Sequence, residues 1–129
     1  MVGLDTGFFI AIIKKDKKAR QLWGSFSGRT DFPIVSVLTL GELLYLSYRV
    51  GKPAQGKKMV KGIETACSVK VVDQEVTEMA AGLKHGRGMP YVDSLILATF
   101  MIAGCKEIHT SDKNHFQNLG QKGLSVVFW

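Results

Sequence analysis

Cysteine and proline are scarce in this 129-residue chain, with two of one and three of the other, and no long uninterrupted apolar run occurs. Cys67 and Cys105 lie far apart and fit neither a C-x-x-C pair nor a Cys/His ligand spacing, so a disulfide framework and a zinc site are not indicated and two buried thiols are expected. The longest apolar stretch, Leu95 to Cys105, is broken by Thr99 and is well short of the ~20 residues that a bilayer span requires. It predicts a buried helix and no membrane anchor. Asp5 follows Met1 almost at once, and no basic residue precedes the apolar stretch Phe8 to Ile13; a secretion signal is therefore not read and a cytoplasmic location is expected. Repeats, low-complexity tracts and shifts in composition are also missing, which predicts one domain over residues 1–129.

What is present is an apolar content of 46%, typical of a globular chain, and a formal charge of +6. That charge favours a polyanionic partner through attraction to phosphate and counterion release. Periodicity predicts strands at Met1 to Leu4, Pro33 to Val37, Val69 to Val72, Glu107 to Thr110 and Leu124 to Phe128. Between them, helices are expected over Thr6 to Lys15, Asp16 to Phe26, Thr39 to Val50, Ala54 to Ala66, Glu75 to Lys84, Val92 to Ala103 and Asn114 to Leu119, with a glycine-bearing loop from His85 to Pro90. Alternation of this kind marks an α/β domain with a mainly parallel sheet.

Ligands of such sheets collect outside the carboxyl ends of the strands, so the acids there matter most. Asp5 ends the first strand, Asp112 lies just past the strand Glu107 to Thr110, and Glu42 and Asp93 are expected in the first turns of helices. Each has an ordinary explanation as a helix-capping acid, and Thr39-Leu40-Gly41-Glu42 fits a capping box. Together in one pocket they would repel unless a cation compensated them, and a hard divalent ion such as Mg²⁺ or Mn²⁺ answers that need.

Val2-Gly3-Leu4-Asp5-Thr6, Thr39-Leu40-Gly41-Glu42-Leu43, Tyr91-Val92-Asp93-Ser94-Leu95-Ile96-Leu97-Ala98 and Thr110-Ser111-Asp112-Lys113-Asn114-His115-Phe116 resemble, in this order, the PIN-domain family. They look most like its small prokaryotic members, including the toxin nucleases of VapBC pairs. The resemblance implies a three-layer α/β/α fold and a metal-dependent ribonuclease that hydrolyses phosphodiesters with metal-activated water. It makes Asp5, Glu42, Asp93 and Asp112 the catalytic, metal-binding acids, with Mg²⁺ or Mn²⁺ as cofactor, and Thr6 and Thr110 the hydroxyls that shape the pocket. It also implies RNA as substrate, a homodimer, and an antitoxin as partner. Some relatives place a further acid after the last aspartate; Asn114 and His115 stand there instead, a departure that bears on a second metal site. His115, beside Phe116, reads as structural or solvated.

For the substrate path, Lys84 and Arg87 in the loop leading to Asp93 are the expected phosphate contacts. The lysines from Lys14 to Lys18 and at Lys57, Lys58 and Lys61 read equally well as solvated helix faces. Trp23, Tyr45 and Tyr48 are candidates for base stacking, but packing in the core or a dimer interface is favoured for the tyrosines. The competing readings are a non-catalytic RNA-binding or regulatory domain of the same fold and a DNA-directed nuclease. A phosphatase is disfavoured because Asp5-Thr6-Gly7 lacks the second nearby aspartate of a DxD motif.

Overall fold

A computed structural model describes residues 1–117, 119 and 123–129. Five short strands, β1 (Val2–Leu4), β2 (Ile34–Ser36), β3 (Ser68–Lys70), β4 (Glu107–Thr110) and β5 (Ser125–Phe128), form one sheet. Its order is β3-β2-β1-β4-β5 and every neighbouring pair is parallel. The chain steps outward from β1 to β3 and then returns to lay β4 on the other side of β1. The order therefore reverses between β1 and β4, where a crevice opens at the carboxyl ends of the strands.

The connecting helices are α1 (Thr6–Ile13), α2 (Lys17–Ser25), α3 (Val37–Arg49), α4 (Pro53–Ala66), α5 (Gln74–Arg87), α6 (Tyr91–Ile102) and the short α7 (Lys113–Phe116). Successive strand residues point to opposite faces, and both faces are covered. Leu4 and Val35 pack with Phe8 and Phe9 of α1 and with Val60 and Ile63 of α4. On the other face, Ile34 and Ile108 meet Ile96 and Phe100 of α6 and Phe116 of α7. The result is three layers, α/β/α. Trp23, half-buried, sits edge-on to Phe9 and Phe26. Cys67 and Cys105 are buried free thiols, pushed up to about 12 and about 11 by desolvation, and are correspondingly unreactive. Among the described residues, no helix is long and apolar enough to cross a membrane.

Some boundaries differ from the sequence reading for definable reasons. Helix α3 starts at Val37, because Ser36 at the end of β2 is extended and its side chain accepts from the Leu38 N–H. The capping box of Thr39 and Glu42 therefore does not form, and Glu42 lies in the second turn, not the first. Helix α5 continues through Arg87, where a loop was expected, because the left-handed Gly88 (φ 67°) sends its N–H to the Lys84 carbonyl and ends the helix there. Lys84 and Arg87 thus stand in the last turn of a helix, where cations suit the dipole. Tyr45 and Tyr48 are 60% and 57% exposed, which rules out the core packing favoured for them; the Arg49 guanidinium lies over the Tyr45 ring. Helix α7 ends at Phe116, and Asn118 of the longer helix expected there lies outside the described residues.

Candidate functional site

Parallel pairing sets Leu4 beside His109, so β4 runs one residue past the end of β1, and the Asp5 N–H bonds the His109 carbonyl at 2.8 Å. Asp5 and Asp112 consequently emerge at the same edge of the sheet. Glu42 reaches that edge from α3 and Asp93 from the first turn of α6. All four line one cavity of about 220 Å³, whose wall also includes Thr6, Gly7, Ile10 and Ser111. Gly7 is required there by close approach, since a Cβ would overlap the Ser111 side chain.

One half of the cavity is clamped by hydroxyls. Asp5, only 8% exposed, accepts from the Thr6 N–H through Oδ1 at 2.7 Å and from Thr110 Oγ1 through Oδ2 at 2.9 Å. Thr110 Oγ1 in turn accepts from the Asp112 N–H at 3.1 Å. Thr6 Oγ1 donates to Glu42 Oε1 at 3.0 Å and lies 3.3 Å from Thr39 Oγ1. Burial raises the Asp5 carboxyl above its ordinary value, while the bonds from Thr6 and Thr110 pull it back and the Asp112 charge pushes it up again. Burial raises Glu42 as well, against the bond from Thr6.

The other half gathers around an imidazole. Asp112 caps α7 by accepting from the His115 N–H at 3.2 Å, and its Oδ2 is 2.7 Å from His115 Nδ1. Asp93 Oδ2 lies 3.2 Å from the same nitrogen. Desolvation, followed by the Asp112 charge, pushes the Asp93 carboxyl up to about 6. His115 is raised, first by its bond to Asp112. One donor atom from each of Asp93, Asp112 and His115 falls within 4.8 Å of the others. Among the described residues no lysine or arginine forms an ion pair with any of the four acids. A set of carboxylate oxygens and one imidazole, short of positive charge, fits a divalent cation.

The structure thus brings together Asp5, Glu42, Asp93 and Asp112, with Thr6 on the cavity wall and Thr110 behind Asp5. It leaves Lys84 and Arg87 exposed and outside the cavity lining. Sequence reasoning passed over His115, although the i, i+3 spacing of Asp112 and His115 at a helix start puts both on one side. It also passed over Ser111 and the contact of Thr39 with Thr6.

No curated protein matches the chain in sequence. Solved structures do. The chain resembles DNA-bound VapBC from Salmonella typhimurium, at a TM-score of 0.77 and 20% identity over 99% of this chain and 97% of that one. A toxin–antitoxin complex from Klebsiella pneumoniae is similar at 0.76 and 17% identity, covering 98% and 96%. Mycobacterium tuberculosis VapC20, a sarcin–ricin loop cleaving toxin, matches at 0.65 and 21% identity over 84% and 87%. These identities speak for a shared fold. The residues themselves speak for more, because positions 2–122 match the PIN domain and take in all four acids: the chain belongs to the PIN domain family.

Proposed function

We propose that the chain is a single-domain, metal-dependent endoribonuclease, acting in the cytoplasm as the toxin of a toxin–antitoxin pair. The observation that carries this reading is the cavity at the strand-order reversal, where four carboxylates meet without a lysine or arginine counterion among the described residues. Asp5, Glu42, Asp93 and Asp112 hold Mg²⁺ or Mn²⁺ and are the catalytic acids. The ion, when bound, supplies Lewis acidity that activates water and offsets charge on a phosphate.

The rest is done by the chain. Thr110 fixes the rotamer of Asp5, and Thr6 fixes that of Glu42, so the acids meet substrate already oriented. Glycine at position 7 lets α1 approach Ser111 more closely than any side chain would allow, which keeps the two cavity walls together. Lys84 and Arg87, exposed at the end of α5, take RNA phosphates that lie outside the cavity, where the charge of +6 favours a polyanion. RNA is preferred to DNA on the likeness to a toxin that cleaves the sarcin–ricin loop. A protein antitoxin and a homodimeric state are proposed on the family resemblance and the likeness to a toxin–antitoxin complex.

The test is cleavage of labelled RNA and DNA oligonucleotides of one sequence with Mg²⁺, with Mn²⁺ and with excess chelator. Internal cuts in RNA that need the metal are expected. Cleavage undiminished by chelator would overturn the metal-dependent reading. Cutting confined to DNA would make the enzyme a deoxyribonuclease, and binding without cutting would make it the non-catalytic alternative.

A further inference from the structure

We propose that His115 is itself a metal ligand: through Nδ1 it completes, with Asp93 and Asp112, a mixed oxygen–nitrogen site that favours Mn²⁺ and neighbouring transition ions over Mg²⁺. This rests on the metal-dependent reading above and names the donor set behind it.

The spacing of the donors matches that of a coordination shell. Adjacent donors in an octahedral site with bonds of ~2.1 Å lie about 3.0 Å apart. His115 Nδ1 stands 2.7 Å from Asp112 Oδ2 and 3.2 Å from Asp93 Oδ2, spacings that bracket this value. Both contacts use the same ring nitrogen, and the donors come from two elements, α6 and the start of α7. The backbone adds to the fix: the N–H of His115 is tied to Asp112 Oδ1, which anchors the imidazole at the root of its side chain. One donor atom from each of the three side chains already lies within 4.8 Å of the other two, so the cluster is preassembled for a shared cation.

An imidazole in the shell changes the selectivity. Mg²⁺ is a hard ion that takes oxygen donors and gives up water reluctantly, whereas first-row transition ions gain from a nitrogen donor. A site of carboxylates alone would accept Mg²⁺ and Mn²⁺ with similar taste; the nitrogen tilts it.

Direct detection is available because nitrogen-14 bound to Mn²⁺ modulates the electron spin echo of the ion. The chain has only three histidines, His85, His109 and His115, so an untagged protein limits the imidazole sources. Mn²⁺ bound to wild type should show directly coupled nitrogen, retained in His85→Gln and lost in His115→Gln. His115→Gln should also lower Mn²⁺ affinity on the order of tenfold or more, and Mg²⁺ affinity by less. Bound Mn²⁺ without nitrogen coupling in the wild-type protein would overturn the proposal, leaving His115 as a positioning residue for Asp112 and the nuclease reading intact. Failure of the wild-type protein to bind Mn²⁺ at all would remove the metal reading together with it. The measurement does not use RNA cleavage, so the two failures are separate.

Discussion

The two halves of the acidic cavity solve the same electrostatic problem in different ways. Asp5 and Glu42 are held by neutral hydroxyls, those of Thr110 and Thr6, in a setting where Asp5 is buried. Asp93 and Asp112, with side chains 26% and 28% exposed, share one imidazole and crowd each other. Asp5, with a neutral donor on each oxygen, and Glu42, with one on Oε1, keep their positions with or without a cation. Asp112 has a backbone donor on Oδ1, but Asp112 Oδ2 and Asp93 Oδ2 both face the same titratable ring and depend on whatever charge lies between them. The first half is therefore the frame of the site, and the second half is the part that responds to metal.

The sharpest break in this comparison is Asp93→Asn. It keeps the shape of the side chain and removes the charge from the responsive half. Cleavage of RNA at saturating Mg²⁺ should fall by ~100-fold or more, the scale of losing one charged group at a reacting centre, with far-ultraviolet circular dichroism unchanged. A rate within a few-fold of wild type would remove Asp93 from the site.

A smaller effect is expected in the frame. Thr110→Val removes the donor to Asp5 Oδ2 and the acceptor for the Asp112 N–H while nearly preserving volume. Metal affinity and activity should drop ~10- to 100-fold, the usual consequence of losing a group that orients a ligand. Stability should fall by about 1–3 kcal/mol, the cost of a buried polar group left unpaired. Thr110→Ser, which keeps the hydroxyl, should restore most of both. Equal activity in the valine and serine variants would mean that the clamp does not organise the site.

The same contrast explains what could be read from the sequence. Strand-and-helix order, the parallel sheet and the positions of Asp5 and Asp112 past the ends of β1 and β4 follow from periodicity and from the rule for ligands at strand ends. The start of α3 did not, because Ser36 serves at once as the last residue of β2 and as a helix cap, and a plausible capping box at Thr39 competed for the same role. The end of α5 was hidden by three glycines, at positions 82, 86 and 88, of which only Gly88 is left-handed. The frame is a set of contacts between residues far apart in the chain: Thr110 meets Asp5 across 105 positions and Thr6 meets Glu42 across 36, and no local pattern announces such pairs. His115 was set aside because its neighbour Phe116 is a core residue. The ring turns the other way, toward Asp93 and Asp112.

The smallest expected effect is on the metal-free protein, and it separates the halves by pH. Asp93 ionises near 6 in the fold, against 3.8 for the ordinary group. An acid whose folded value is raised binds its proton more tightly in the native state. Its contribution to stability is therefore fully present below pH 3.8 and is lost as pH rises through about 6. His115 is also raised, so it too loses its contribution as pH climbs above the ordinary histidine range. His109, depressed by burial, acts in the opposite sense: its contribution is present above 6.5 and lost as pH falls. The difference between wild type and Asp93→Asn cancels the His109 contribution and isolates the crowded half. With chelator present, the two proteins should melt at similar temperatures near pH 4. Between pH 7 and 8 Asp93→Asn should be the more stable by on the order of 1–2 kcal/mol, reduced from the full shift because both aspartates are partly solvated. Saturating Mn²⁺ should reverse the order, since only wild type then has the full set of acids to bind it. Thermal melts of both proteins at three pH values, with and without metal, make the comparison. A metal-free Asp93→Asn protein that is no more stable than wild type at pH 8 would mean that Asp93 and Asp112 do not oppose each other. The responsive half of the cavity would then be no different in kind from the frame.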